Sequence, residues 1–305
     1  MRILITGGAG YIGFSLVRAL ASRDDVRSIR VIDNLSRRNH ALFVSGSHGK
    51  VPVEFRRVDL LDGQLLEQMV RDVDVVIHLA ARATTPQSDL DHHVFDQVNN
   101  WGTSQLARTL SASPAHTVVY VSSFAVYGEH DEPVTEATTP APASSYGVSK
   151  MAGEAHLRRL ATSDRRVHVV RAGNVFGFNP AIRFDTVINA MCFDAWTERT
   201  VRIHGDGTQT RPFIAVDTLA ETLAELVASD QGSGLWNLAS HNASVLDLVS
   251  ILQELVPRLE YMHLHRDMRM QRITMDVPST LLAQLGVESA PLKDSMARLI
   301  KALEG

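Results

Sequence analysis

Apolar and polar positions follow two alternating rhythms through the first half of the chain. Ile3-Leu4-Ile5, Ile29-Arg30-Val31-Ile32, the run from Val73 to Leu79 interrupted by Asp74, and Thr117-Val118-Val119-Tyr120-Val121 are short and rich in β-branched residues. That is the pattern of strands covered on both faces. Val51-Pro52-Val53-Glu54-Phe55 alternates like a strand, and Val167-His168-Val169-Val170 is the next buried one. Between them, apolar residues recur at helical spacing. One helix is predicted from Tyr11 to about Ala21, stopped by Ser22-Arg23-Asp24-Asp25, and one after an Asp62 N-cap through Arg71. Others run from Asp91 to Ser111, closed by Pro114, and from Ser144 to Ala161. Strand, helix and strand repeating through residue 171 predict an α/β fold, a doubly wound parallel sheet with helices on both faces.

Elsewhere the pattern is less regular. Asn34 to Lys50 is polar and irregular, and Pro133 to Pro142 reads as an ordered surface loop. After Gly173 the rhythm weakens. A helix is predicted over Asp217–Ala228, a short strand over Leu235–Leu238, and helices over Val245–Leu255, Ser279–Leu285 and Leu292–Leu303. The expected division is a larger domain over residues 1–175, with 212–238 contributing to it, and a smaller C-terminal lobe from 176–211 and 239–305.

Composition narrows the classes. The 305 residues are 45% hydrophobic and 21% charged, with a net charge of −4. This gives no support for a nucleic-acid coat or a membrane-surface role. Cys192 is the one cysteine, so no internal disulfide is possible and a reducing compartment is expected. No apolar run approaches spanning length. A first strand at residue 2 leaves no room for a signal peptide ahead of it, and a cytoplasmic location is expected.

Thr6-Gly7-Gly8-Ala9-Gly10-Tyr11-Ile12-Gly13 lies between the first strand and the first helix. Gly7 permits a tight turn with positive φ. Gly10 clears the space where backbone must approach a pyrophosphate, and Gly13 allows close helix packing. Amide groups at the helix start then face the anion. Asp33 ends the second strand, 20 positions after Gly13, where a carboxylate bonds an adenosine ribose. Tyr146 and Lys150 stand one turn apart on one predicted helix face. A phenol is a poor base at neutral pH, and a neighbouring ammonium favours the phenolate, so the pair can move protons. By spacing alone such a pair is common on exposed helices. Ser123, however, follows a buried strand and emerges at the carboxyl end of the sheet, where open α/β folds bind ligands.

The glycine spacing G-x-x-G-x-x-G, with the later motifs, resembles the extended short-chain dehydrogenase/reductases, in particular their nucleotide-sugar epimerase and dehydratase group. The resemblance covers nearly the whole chain. It implies a Rossmann-like domain over 1–175 that holds NAD, and a substrate-binding C-terminal lobe. Ser123, four residues before the Tyr127-Gly128 pair, then completes a catalytic triad with Tyr146 and Lys150. The implied cofactor contacts are Gly7, Gly10, Tyr11, Ile12, Gly13, Asp33, Asn34, Asp59, Leu60, Leu79, Ala80, Ala81, Asn99, Tyr146 and Lys150. Asp59-Leu60 matches the pair that contacts adenine, Val76 to Ala81 the strand and loop under the cofactor, and Asn99-Asn100-Trp101-Gly102-Thr103 an N-x-x-G-T segment. The run from Gly205 to Asp217 matches the D-G-x-Q-x-R-D-F-I-x-V-D signature and implies Arg211 as a diphosphate ligand. Asn174, in Arg171-Ala172-Gly173-Asn174, is the implied substrate contact. Arg266, 10 residues before Asp276, is the second implied phosphate ligand, with Arg269 and Arg272 as alternatives. Guanidinium groups suit the two charges of a nucleoside-diphosphate sugar.

Departures from the family pattern shape the expectation. Phe124 and Ala125 occupy the positions of the two acids that the sugar 4,6-dehydratases use at C5 and C6, and neither carries a proton. Ala172-Gly173 replaces an aromatic pair, Pro212 replaces an acid, and Asn237 to Ser240 lacks the family's glycines. Arg82 is not assigned between substrate and packing. The expected activity is an NAD-dependent 4-epimerase acting through a 4-keto sugar. The alternatives are a 4-dehydrogenase or 4-ketoreductase of the same substrates, and a non-catalytic dinucleotide-sensing protein. Asp33 favours NAD, although Arg37-Arg38 would suit the 2′-phosphate of NADP. His92-His93 and His263-x-His265 lack completing ligands, so no metal is expected. The helices around Asn99–Leu110 and Tyr146–Leu160 are the pair through which this family commonly forms a homodimer, or else they simply cover the sheet.

Overall fold

The computed structural model describes residues 1–46, 48–83, 92–264 and 272–304. Its frame is a seven-stranded, wholly parallel sheet. The strands are β1 (Arg2–Thr6), β2 (Ser28–Asp33), β3 (Val53–Arg57), β4 (Val75–His78), β5 (Thr117–Ser123), β6 (Arg166–Ala172) and β10 (Gly234–Leu238). They lie in the order β10-β6-β5-β4-β1-β2-β3. The sequence rises outward from β1 on both sides, as right-handed crossovers require. The doubly wound α/β expectation holds.

Period-2 alternation divides each strand between two cores. Ile3, Ile5, Val31, Val75, Ile77, Val119 and Val121 face one side, with α1 (Tyr11–Ala21) and α8 (Val216–Ala228). Leu4, Ile32, Val76, Val118 and Tyr120 face the other. There they meet Leu66 of α3 (Gly63–Met69), Leu106 and Leu110 of α5 (Thr103–Ser111), and Leu157 of α6 (Ser145–Arg158). Asp62 caps α3 by accepting from the Leu65 amide at 3.0 Å.

A third apolar cluster forms in the second half of the chain. It joins α7 (Val187–Thr197), α9 (Val245–Leu255) and α11 (Leu292–Glu304) to two small sheets. One sheet has the order β11-β9-β7, from His241–Ser244, Thr210–Ala215 and Asn174–Phe176; the other pairs β12 (Glu260–Leu264) with β8 (Thr200–His204). α10 (Thr280–Leu285) packs against α8 and β10. Among the described residues no helix is long and apolar enough to cross a membrane.

Several expectations need correction. The helix expected from Asp91 to Ser111 is not uniform. Its described part runs from α4 (His92–Phe95) through a π-helical turn, Asp96–Gly102, into α5. Asp91 lies outside the described residues. A short helix, α2 (Ala41–Val44), sits inside the stretch read as irregular. β3 begins two residues late, because the Val51 amide bonds the Ala21 carbonyl at 3.2 Å instead of joining the sheet. The Pro133–Pro142 loop is pinned: Val134 is buried and bridges Met275, and Glu136 accepts from the Asn237 amide at 2.8 Å.

Candidate active site

The glycine turn connects β1 to α1 at the carboxyl edge of the sheet. Gly7 adopts φ +70°, and a Cβ there would lie 2.6 Å from both Cα and N of Ala80. Only glycine fits a turn packed so closely on the loop after β4. Gly10 is the N-cap of α1; no side chain caps that helix and no acid occupies its first turn. Its first amides are left for an external acceptor, which suits a dinucleotide diphosphate. A Cβ on Gly13 would meet Gly8 at 2.5–2.7 Å, so this glycine presses α1 onto the turn itself.

Asp33 and Asn34, at the end of β2, meet the glycine turn and Asp59. Asp33 is half-buried and accepts from the amides of Leu35 (2.8 Å) and Ala9 (3.3 Å). Burial pushes its carboxyl upward, and those two amides oppose the shift. Asn34 donates to Asp59 at 2.8 Å. Leu60 is buried against Gly102.

Beneath the turn, the buried His78 ring bridges Thr6 Oγ1 (2.6 Å) and Thr103 Oγ1 (2.9 Å). Thr6 Oγ1 in turn accepts from the Ala80 amide at 3.2 Å, and the Thr6 carbonyl accepts from Leu79. Leu79 and Ala80 are thereby fixed beside the glycine turn, and Ala81 follows them in the chain. Desolvation holds His78 down to about 3, so it is neutral. Ile12 packs against the α1 side of the core.

Two implied cofactor contacts spend their side chains inside the protein. The Tyr11 hydroxyl donates to the Gly177 carbonyl at 2.6 Å and accepts from Asn189. Asn99 binds the amide and carbonyl of Arg82 (2.7 and 2.9 Å) and Ser149 Oγ (3.0 Å). Any direct contact with a dinucleotide then falls to their backbone.

The three triad candidates converge where β5 meets α6. Ser123 ends β5, and its Oγ accepts from the Ala125 amide at 3.2 Å. The half-buried Tyr146 phenol lies close to Ser123, and its ring meets Phe95 edge-on at 5.9 Å. Lys150 is 2% exposed. Its Nζ donates to the Val121 carbonyl at 2.7 Å and stands 4.2 Å from the centre of the Tyr120 ring. Burial brings the ammonium down to about 7, against the opposing charge of Glu154. The expectation that Lys150 lowers the phenol needs revision. Tyr146 lies above its ordinary value because burial disfavours phenolate, and the influences opposing that rise are the nearby Ser123 hydroxyl and the charges of Arg183 and Arg37. The lysine is instead engaged by a carbonyl and a ring.

Two of the residues expected to meet the substrate lie on β7 and β9. Asn174 opens β7 and donates to the Pro212 carbonyl at 3.1 Å. Arg211, on β9, is half-buried and makes no ion pair among the described residues; desolvation lowers its guanidinium. A half-buried cation of this kind fits an anionic ligand. Arg266, with Arg269, lies outside the described residues. His92 bonds Ser145, His263 bonds the Gly205 carbonyl, and no cluster among the described residues could hold a metal ion.

Sequence reasoning missed the polar layer under the site. Glu154 and Arg171 form a bidentate ion pair at 2.9 and 2.7 Å, with side chains 4% and 2% exposed. Glu154 also accepts from Ser122 at 2.6 Å. The available signal was a third polar residue in step with Tyr146 and Lys150 on a helix whose neighbours are apolar.

A parallel sheet with an uncapped glycine turn, an acid closing β2 and a Ser, Tyr and Lys together at the carboxyl edge points to a dinucleotide-dependent enzyme. The comparisons make the class specific. The chain belongs to the NAD-dependent epimerase/dehydratase family, whose model matches residues 3–239. A putative UDP-glucose 4-epimerase of Methanocaldococcus jannaschii is 30% identical over 82% of this chain and 81% of that protein. A dTDP-glucose 4,6-dehydratase of Neisseria gonorrhoeae is 27% identical over 84% of this chain and 79% of its own length. Among solved structures, the UDP-glucuronic acid 4-epimerase of Bacillus cereus, in complex with UDP-glucuronic acid and NAD, superposes with a TM-score of 0.87 at 25% identity. That likeness covers 100% of this chain and 99% of the other.

Proposed function

We propose that this enzyme is a nucleotide-sugar 4-epimerase acting through a transient 4-keto sugar. The observation that carries the reading is the convergence of Ser123, at the end of β5, with Tyr146 and Lys150, one turn apart on α6. Tyr146 would take the proton from the sugar 4-hydroxyl, which Ser123 aligns. Lys150, anchored on the Val121 carbonyl, would hold its charge beside the phenol. The bound nicotinamide would supply the acceptor and later the donor of hydride. After the 4-keto sugar has turned over, Tyr146 would return the proton as the opposite face is reduced. Arg211 and Asn174 would hold the diphosphate and sugar, with Arg266 as a further phosphate ligand.

Phe124 favours epimerisation over dehydration. It is 4% exposed and packs with Val126, Tyr127 and Ala239, so no acid faces C5 or C6 from that position. Incubating the NAD-loaded enzyme with UDP-glucose, UDP-N-acetylglucosamine and UDP-glucuronic acid, with NMR detection of products, tests the proposal. The 4-epimer should form without growth of the reduced-nicotinamide absorbance. Stoichiometric growth of that band would replace epimerase with net oxidoreductase. Tyr146→Phe should lower turnover by about 10²–10⁴-fold and spare NAD binding; an unchanged rate would retire the proton-transfer role.

A further inference from the structure

Tyr146, Lys150 and Glu154 recur every four residues on α6 and form one polar stripe along it. Tyr146 is half-buried at the outer end, against Phe95. Glu154 lies at the buried end, clamped by Arg171 and Ser122. Lys150 lies between them, far from bulk water, on the Val121 carbonyl and the Tyr120 ring. We infer that Glu154 is a positioning residue for the reaction: one turn from Lys150 on the same buried face of α6, its carboxylate is the anion that balances the lysine charge. The inference rests on the reading of Lys150 as part of the proton-transfer set.

Every ionisable group around the lysine bears on this. On α6 they are Tyr146 and Glu154. From β5 the Tyr120 ring supplies its π face, and its hydroxyl stays protonated because burial drives its pKa well upward. From β4 the His78 ring stacks on Tyr120 at 5.3 Å, and it is neutral. From β6 Arg171 contributes a positive charge, already spent bidentately on Glu154. Glu154 is the anion of this set, and it is the charge that opposes the desolvation of Lys150. Arg171 fixes that carboxylate in place: its guanidinium is sandwiched between Glu154 and the Tyr127 ring, 4.6 Å away.

A merely structural pair would clamp α6 to β6 without touching the protonation of Lys150. The chain has four lysines, and Lys50, Lys293 and Lys301 are exposed, so one buried lysine signal is expected in the NMR spectrum of protein labelled with ¹³C,¹⁵N-lysine. The NAD-loaded wild type, Glu154→Gln, and the double variant Glu154→Gln/Arg171→Met are titrated, and the Lys150 signal is identified by its loss in Lys150→Met. The double variant removes both charges and restores the thermal stability that Glu154→Gln loses. In both variants the Lys150 midpoint should fall by roughly half a unit or more. The alkaline limb of kcat should move to lower pH with it. Glu154→Asp should recover part of the shift. A double variant whose Lys150 midpoint equals that of wild type overturns the inference. So does an alkaline limb that moves in Glu154→Gln and returns as stability returns. The titration does not need turnover: a midpoint that follows Glu154 in a protein inert to every nucleotide sugar supports this role and removes the epimerase reading alone.

Discussion

Replacing Gly13 with alanine separates the geometry of the glycine turn from general stability. A Cβ at residue 13 would lie 2.5 Å from Gly8 Cα, 2.6 Å from its oxygen and 2.7 Å from its carbonyl carbon. Carbon atoms rest at about 3.5–4.0 Å, so roughly 1 Å must be found. The turn cannot yield it. Gly8 is wedged against Val31, where a Cβ would come within 2.7 Å of Cγ1, and Gly7 is wedged against Ala80. The N-terminus of α1 must therefore retreat. Overpacking of this kind costs about 1–3 kcal/mol, and the better helix propensity of alanine offsets about 1 kcal/mol of it. The free protein should lose only a few degrees of Tm. Cofactor binding should suffer far more. Each charge-assisted hydrogen bond from an α1 amide to the diphosphate is worth about 1.5–3 kcal/mol. Losing one raises the NAD dissociation constant roughly 10- to 100-fold at 1.4 kcal/mol per tenfold. Calorimetry of cofactor-stripped protein measures this directly. Gly232→Ala is the control, because a Cβ there meets nothing within 4 Å. A Gly13→Ala protein that binds NAD within twofold of wild type would refute the account of the turn.

Two further outcomes follow from the same structure. Burial keeps His78 neutral, down to about 3, and His168 neutral, down to about 4. Both gain protons more readily when unfolded, so stability should be lost as pH falls from about 6.5 toward 4, above the range in which most carboxylates titrate. A Tm that stays level across that window contradicts the buried neutral imidazoles, and His168→Gln should flatten part of the slope. Trp101, 56% exposed, and Val148, 49% exposed, are large apolar side chains left open on the adjoining π-helical turn and α6. Light scattering should show twice 33.5 kDa for wild type and the single mass for Trp101→Glu/Val148→Lys; a wild-type monomer removes the dimer.

What was legible in the sequence was local. The glycine turn announces itself because only glycine tolerates the positive φ of Gly7 and the contacts of Gly13. Asp62 reads as a cap because its carboxylate serves an amide three residues away. The central strands read as runs because both faces are covered. The second half was harder. β8, Thr-Val-Arg-Ile-His, does alternate, but only over five residues, and β11, His-Asn-Ala-Ser, carries no apolar pattern at all. Its existence depends on antiparallel pairing with β9. The π-helical turn is set at long range. Asn99 reaches the Arg82 backbone, and Gly102 packs on Leu60; neither contact leaves a periodic trace in Asp96–Gly102.

The same distinction explains why the placement of the triad candidates was legible while their electrostatics were not. Spacing placed Tyr146 and Lys150 on one helix face. Their proton affinities follow from what the fold removes, namely water. Withdrawal from solvent raises a phenol and lowers an ammonium, so burial works against the very ion pair that proton transfer needs. A site of this kind requires a compensating anion beneath the ammonium and cations near the phenol. α6 and β6 supply the first as Glu154, held by Arg171. The segments after β2 and β7 supply the second as Arg37 and Arg183, joined through Asp185 at 3.7 and 2.9 Å. Neither group belongs to the motif that identifies the triad, yet each bears on whether the triad can work near neutral pH. Because the two sit on different elements, changes at Glu154 should act on the lysine and changes at Arg183 on the tyrosine. Single and paired substitutions at these two positions should therefore shift opposite limbs of the pH profile and combine additively.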